Sequence, residues 1–89
     1  MKIVQSTTFS RISKKLHPNQ KKSLDKAISE IIKNPKIGDP KFGDLEGVRV
    51  HKFKMDNLTW LLAYESATKN KIVLLLLGPH ENFYRKLKD

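Results

Sequence analysis

The run from Ile72 to Leu77 is wholly apolar and stops at Gly78-Pro79, and it leaves this chain little freedom in how to fold. It is too short for a useful helix and suits a strand buried on both faces. Proline cannot donate to a strand ladder and glycine allows a sharp change of direction, so the strand ends there. His80 follows at once and Tyr84 lies four residues on, on the same face if the tail from Glu81 to Leu87 is helical. A central strand would thus carry an imidazole and a phenol to one edge of a sheet.

The rest of the chain reads as cover for that strand. Lys2 to Gln5 opens the domain as a short strand. Ser6, Thr7 or Thr8 can cap a helix whose apolar positions, Phe9, Ile12 and Leu16, recur at helical spacing. His17-Pro18 interrupts it, and Pro18 suits the first turn of a second helix. Leu24, Ala27, Ile28, Ile31 and Ile32 form its apolar stripe, and Asn34-Pro35 ends it. A loop from Ile37 to Gly47 is expected to be anchored by Ile37, Phe42 and Leu45. Val48 to Met55 alternates as a strand, with Val48, Val50, Lys52 and Lys54 on one face and Arg49, His51, Phe53 and Met55 on the other. Asp56-Asn57 is a turn signal, Thr59 to Glu65 a further strand, and Ser66 to Asn70 another turn. The fold class that follows is α+β: an N-terminal strand and helical hairpin on one face of a small, largely antiparallel sheet, with a short C-terminal helix. With 89 residues and neither repeat nor linker, residues 1–89 read as a single domain.

Composition narrows the function classes. Eighteen Lys+Arg against nine Asp+Glu give a net charge of +9, which favours a polyanionic partner: RNA, DNA or an acidic protein segment. Without cysteine there is neither disulfide nor thiolate metal site. The longest apolar run is far short of a membrane span, and residues 2–16 hold no signal-peptide core. A cytoplasmic protein with no membrane contact is expected.

Three motifs add a family. Asp39-Pro-Lys-Phe-Gly-Asp-Leu-Glu-Gly47, Trp60-Leu-Leu-Ala-Tyr64 and Gly78-Pro-His-Glu-Asn-Phe-Tyr84 occur in the order and on the elements that resemble the RelE/ParE superfamily of toxins from type II toxin–antitoxin systems. The nearest likeness is to YafQ-like and YoeB-like mRNA interferases. The resemblance implies an endoribonuclease that cuts mRNA at the ribosome without metal or cofactor, and a cognate acidic antitoxin as partner. It equally admits a ParE-like inhibitor of DNA gyrase, or a non-toxic binding module of the same fold.

By position the resemblance assigns Asp39, Lys52, His80 and Tyr84 to catalysis, and Arg49, His51, Lys54 and Arg85 to RNA binding. RNA cleavage through the substrate's 2′-hydroxyl needs a base, an acid for the leaving 5′-oxygen and cations against the phosphate. His80 is the expected acid, because imidazole titrates nearest neutral pH. Asp39 is the expected base, Lys52 faces the phosphate and Tyr84 stacks on a base or bonds the phosphate. In the RelE and YoeB pattern an arginine stands where this chain has Leu61, a departure it shares with YafQ-like members.

Overall fold

The computed structural model describes residues 2–68, 70–81 and 83. Of the expected C-terminal helix, Glu81 to Leu87, only Glu81 and Phe83 are among them; Tyr84 and Arg85 lie outside. The elements are β1 (Lys2–Gln5), α1 (Thr7–Lys14), α2 (Pro18–Lys33), β2 (Asp39–Pro40), a 3-10 turn (Gly43–Leu45), β3 (Val48–Met55), β4 (Leu58–Thr68) and β5 (Lys71–Pro79). The strands form one sheet in the order β1-β5-β4-β3-β2, parallel between β1 and β5 and antiparallel elsewhere.

The two helices lie on one face of this sheet, as the sequence leads one to expect. Phe9, Leu24 and Ile31 from the helices meet Leu62, Tyr64, Ile72, Leu74 and Leu77 from β4 and β5, all buried. Each such side chain contributes about 1.5–3 kcal/mol on burial, so this face supplies most of the core. The opposite face carries a smaller cluster, Val48, Val50, Leu61, Ala63 and Leu76, packed with Phe83 and Leu45.

Three details differ from expectation. β5 is internal, but the middle strand is β4, whose Leu61, Leu62, Ala63 and Tyr64 are all fully buried. β4 also runs on to Thr68, because pairing with β5 continues through Ser66↔Ile72 and Thr68↔Lys71. Of the three loop anchors only Leu45 packs against a core cluster; Phe42 is 79% exposed and Ile37 is exposed as well.

The run Leu74-Leu75-Leu76 contains a β-bulge. Tyr64 pairs with Leu74 while Ala63 pairs with Leu76, so Leu75 is the extra residue. The bulge shifts the alternation: Ile72 and Leu74 face the helices, and so does Leu77, while Leu76 faces away. Ser6 closes the defect. Its Oγ donates to the Leu75 carbonyl at 2.7 Å and accepts from Phe9 N–H at 3.0 Å, while its N–H donates to the Leu74 carbonyl at 2.9 Å. One serine therefore caps α1 and ties it to the bulge.

Candidate functional site

The turn between β3 and β4 sets the geometry of the open face. Asp56 and Asn57 have φ of 55° and 63°, a left-handed pair suited to a two-residue hairpin. Their sequence matters because few other side chains tolerate that region. The turn pairs Met55 with Leu58 and hence Lys54 with Thr59 and Lys52 with Leu61. Gln20 of α2 donates from Nε2 to the Asp56 carboxylate, and so holds the turn to the helix layer.

The ladder from β4 to β5 places Gly78 beside Leu61 and Pro79 beside Trp60. His80 extends it by one position, its N–H donating to the Thr59 carbonyl at 3.1 Å. Thr59 thereby joins two candidate groups. Its carbonyl fixes the backbone of His80, and its Oγ1 accepts from Lys54 Nζ at 3.1 Å. Lys54, Thr59 and His80 form a row across β3, β4 and the end of β5. Lys52, Leu61 and Gly78 form the next row, where the Phe83 ring packs beside the glycine. Lys52, Lys54 and His80 are all exposed.

Asp39 stands elsewhere on the same face. It pairs with Val50, in the row Asp39-Val50-Ala63-Leu76. Between Asp39 and His80 lie three strand spacings and a four-residue step along the strands. At about 4.8 Å and 3.3 Å each, the α carbons are roughly 19 Å apart. Groups that move protons on one phosphate must each come within about 3 Å of it. The expected pairing of Asp39 as base with His80 as acid does not fit this register. Asp39 is instead an exposed residue at the start of a two-residue edge strand.

Arg49 and His51 belong to the helix-covered side of β3. Arg49 Nη1 donates to the carbonyls of Lys36 at 3.1 Å and Gly38 at 2.8 Å, which pins the chain leaving α2. Tyr64 completes that anchor: its Oη donates to the Pro35 carbonyl at 2.7 Å and accepts from Gly38 N–H at 2.9 Å. Burial raises the Tyr64 phenol above its ordinary range, against smaller lowering effects of the Gly38 N–H and the Arg49 charge. His51 is buried under α2, with Nε2 3.9 Å from Glu30 Oε1 and its ring stacked on Phe53. Neither side chain reaches the row that holds His80.

Sequence reasoning thus reached Lys52, Lys54 and His80, which share one face, and missed Thr59. The signal for Thr59 was present: a two-residue Asp-Asn turn places it opposite Lys54. The Tyr64-Gly38-Arg49 anchor had no such local signal, because its partners are 26 and 11 residues apart in the chain. Among the described residues no group of His, Asp and Glu could hold a metal ion, and no helix is long and apolar enough to cross a membrane.

The architecture, two helices over a five-stranded, mostly antiparallel sheet, is the RelE fold. The structure is similar to the toxin–antitoxin complex RelBE of E. coli, with a TM-score of 0.70 at 17% identity over 90% of this chain and 96% of that one. It is also similar to the isolated E. coli RelE toxin, with a TM-score of 0.68 at 16% identity over 98% of this chain and 95% of that one. At such identities the likeness is one of fold. Comparison with curated proteins gives no match. A family model described as the ParE-like toxin of type II bacterial toxin–antitoxin systems matches residues 3–88. The chain belongs to that family, and is a toxin of a type II toxin–antitoxin system with the RelE/ParE fold.

Proposed function

We propose that this toxin is an endoribonuclease that cleaves mRNA on the ribosome by metal-independent acid–base catalysis. The observation that carries the reading is the row Lys54-Thr59-His80, with Lys52 beside it on the same face. Two strand spacings, about 10 Å, separate the backbone of Lys54 from that of His80. A lysine side chain and an imidazole reaching inward over that span can grip one phosphodiester from both sides. As the 2′-oxygen attacks phosphorus and the bond to the 5′-oxygen breaks, the 2′-hydroxyl proton would pass to solvent water, His80 would give its proton to the leaving 5′-oxygen, and Lys52 and Lys54 would offset the charge that gathers on the phosphate. Tyr84 and Arg85 remain candidates for contacting the RNA. The partner in the cell would be an acidic antitoxin; the solved RelBE neighbour is itself a toxin–antitoxin complex. The protein would act in the cytoplasm, where translated mRNA is found.

Primer extension on mRNA from cells expressing the protein tests this. Wild type should give discrete new 5′ ends and arrest growth. His80→Ala should abolish both while the purified variant keeps its circular dichroism and melting temperature. Undiminished cleavage by a folded His80→Ala variant would refute the assignment.

A second reading has one observation in its favour. Leu61, buried in the cluster with Phe83, stands where the RelE and YoeB pattern has an arginine, so no cation is offered at that position, as suits binding without chemistry. A ParE-like inhibitor of gyrase would produce DNA damage with mRNA left intact.

A further inference from the structure

Where the chain leaves α2, its acceptors are taken and its donors are not. The Asn34 carbonyl accepts from Ile37 N–H at 2.9 Å, and the Pro35 carbonyl from Tyr64 Oη at 2.7 Å. The carbonyls of Lys36 and Gly38 both accept from Arg49, and the side-chain oxygen of Asn34 accepts from Lys36 N–H at 3.3 Å. Both bonds of Arg49 leave from Nη1, which carries two hydrogens. Its Nη2 and Nε hydrogens, the Lys36 ammonium and the Asn34 amide nitrogen have no hydrogen-bond partner among the described residues.

These residues border one hollow of about 570 Å³. Asn34, Pro35 and Lys36 form one wall, and Gly47, Arg49 and Ser66 the other; among these lining residues there is no carboxylate. Ser66 follows Glu65, the partner of Val48, and alternates with Tyr64, so it stands at the far end of the ladder on the helix-covered side. Thr59 lies seven residues back along β4, about 23 Å away. The hollow is therefore remote from the row of His80 and on the other face of the sheet.

We propose that this hollow binds a small phosphorylated molecule, its phosphate monoester held by Arg49 and Lys36. The sign of the ligand follows from the groups left over. A cation would find the carbonyls of Lys36 and Gly38 already bonded, whereas an anion finds only donors. Its charge follows from their number: a phosphate monoester carries about −1.5 to −2 at neutral pH, a match for one guanidinium and one ammonium. A phosphodiester of RNA carries a single charge at each phosphate. Arg49 is anchored at two carbonyls, so its planar fork is ordered before the ligand arrives and can bond two phosphate oxygens at once. The volume falls in the range of small-molecule sites, about 300–1,000 Å³, and exceeds what a phosphate group alone would fill. Pro35 and Gly47 give the remainder of the molecule a less polar wall. Once bound, the ligand would tie the exit of α2 to β3 and β4, the joint that Tyr64 holds from within.

The test titrates the whole protein with ribose 5-phosphate and, separately, with inorganic phosphate. NMR follows the Arg49 Nε–H and the backbone amides of Lys36 and Ser66. Both probes should shift these resonances saturably, and ribose 5-phosphate should bind about tenfold or more tightly than inorganic phosphate. Lys36→Ala should weaken ribose 5-phosphate by about tenfold, the loss of one bond between charged groups. Ser66→Asp, which sets a carboxylate in the hollow, should abolish binding. Lys36 and Ser66 are exposed, so both variants should fold, and amide spectra unchanged away from the hollow check this. Equal affinity for the two probes would mean an adventitious ion only and would overturn the proposal. Undiminished binding by folded Ser66→Asp would do the same. So would displacement of ribose 5-phosphate by an oligouridine without a terminal phosphate, which would make the hollow a contact for the RNA chain.

Discussion

Tyr64 shows how one side chain can hold a functional scaffold without touching the chemistry. Its hydroxyl bridges Pro35 and Gly38, fully buried, at the point where the chain leaves α2 for the edge of the sheet. A Cβ at Gly38 would lie 2.8 Å from that hydroxyl, so the loop and the phenol fit only with glycine there. Tyr64→Phe should destabilise the fold by about 1–3 kcal/mol, since two backbone groups lose their partner. The raised phenol pKa adds a pH signature. The unfolded chain loses this proton first, near pH 10.0, while the folded chain keeps it. The stabilisation is therefore complete below pH 10.0 and declines as pH rises toward the folded pKa. Denaturant melts from pH 8 to 11 should show the gap between wild type and Tyr64→Phe narrowing at the alkaline end; a constant gap would contradict the burial argument.

At the scale of elements, β5 explains both what could be read and what could not. Six apolar residues before Gly-Pro announced a buried strand, and the stripes of α1 and α2 announced its cover. Alternation within Val48 to Met55 gave the two faces of β3 correctly, and with them the shared face of Lys52 and Lys54. The middle position of β4 was hidden, because strand order is settled by long-range pairing and not by local hydrophobicity. The bulge at Leu75 was hidden for a related reason: in an all-leucine run, no change of residue type marks a change of face. The separation of Asp39 from His80 was hidden too, because a motif fixes a position along the chain but not a distance across four strands. Ser6 offers the check on the bulge. Ser6→Ala removes the cap on Phe9 N–H and the donor to the Leu75 carbonyl together, so the loss should reach about 2 kcal/mol, the upper end for a cap. Ser6→Thr should recover most of it. A chemical-denaturation series of the three proteins decides; a loss of only a few tenths would mean that water serves the bulge as well as the hydroxyl does.

Across the whole molecule, the arrangement predicts which charges cooperate. The net charge is +9, but among the described residues only two cations, Lys52 and Lys54, share the rows at and beside His80 by register. Thr59 links Lys54 to the backbone of His80. Thr59→Val keeps the shape of the strand residue yet removes the acceptor that holds Lys54, while its backbone still holds His80. If the toxin cleaves RNA as proposed, cleavage by Thr59→Val should fall about 10-fold or more in kcat with KM little changed, and Thr59→Ser should restore it. That split would mark an effect on the transition state and not on binding alone. Asp39→Asn supplies the opposite arm. With its α carbon roughly 19 Å from that of His80, its carboxylate is too far to share a phosphate, so single-turnover cleavage should stay within about twofold of wild type. Loss of a true proton-transfer group would cost on the order of 10²–10⁴ instead. A drop of that size in Asp39→Asn, with the fold intact, would mean that the edge strand swings across the sheet when RNA binds.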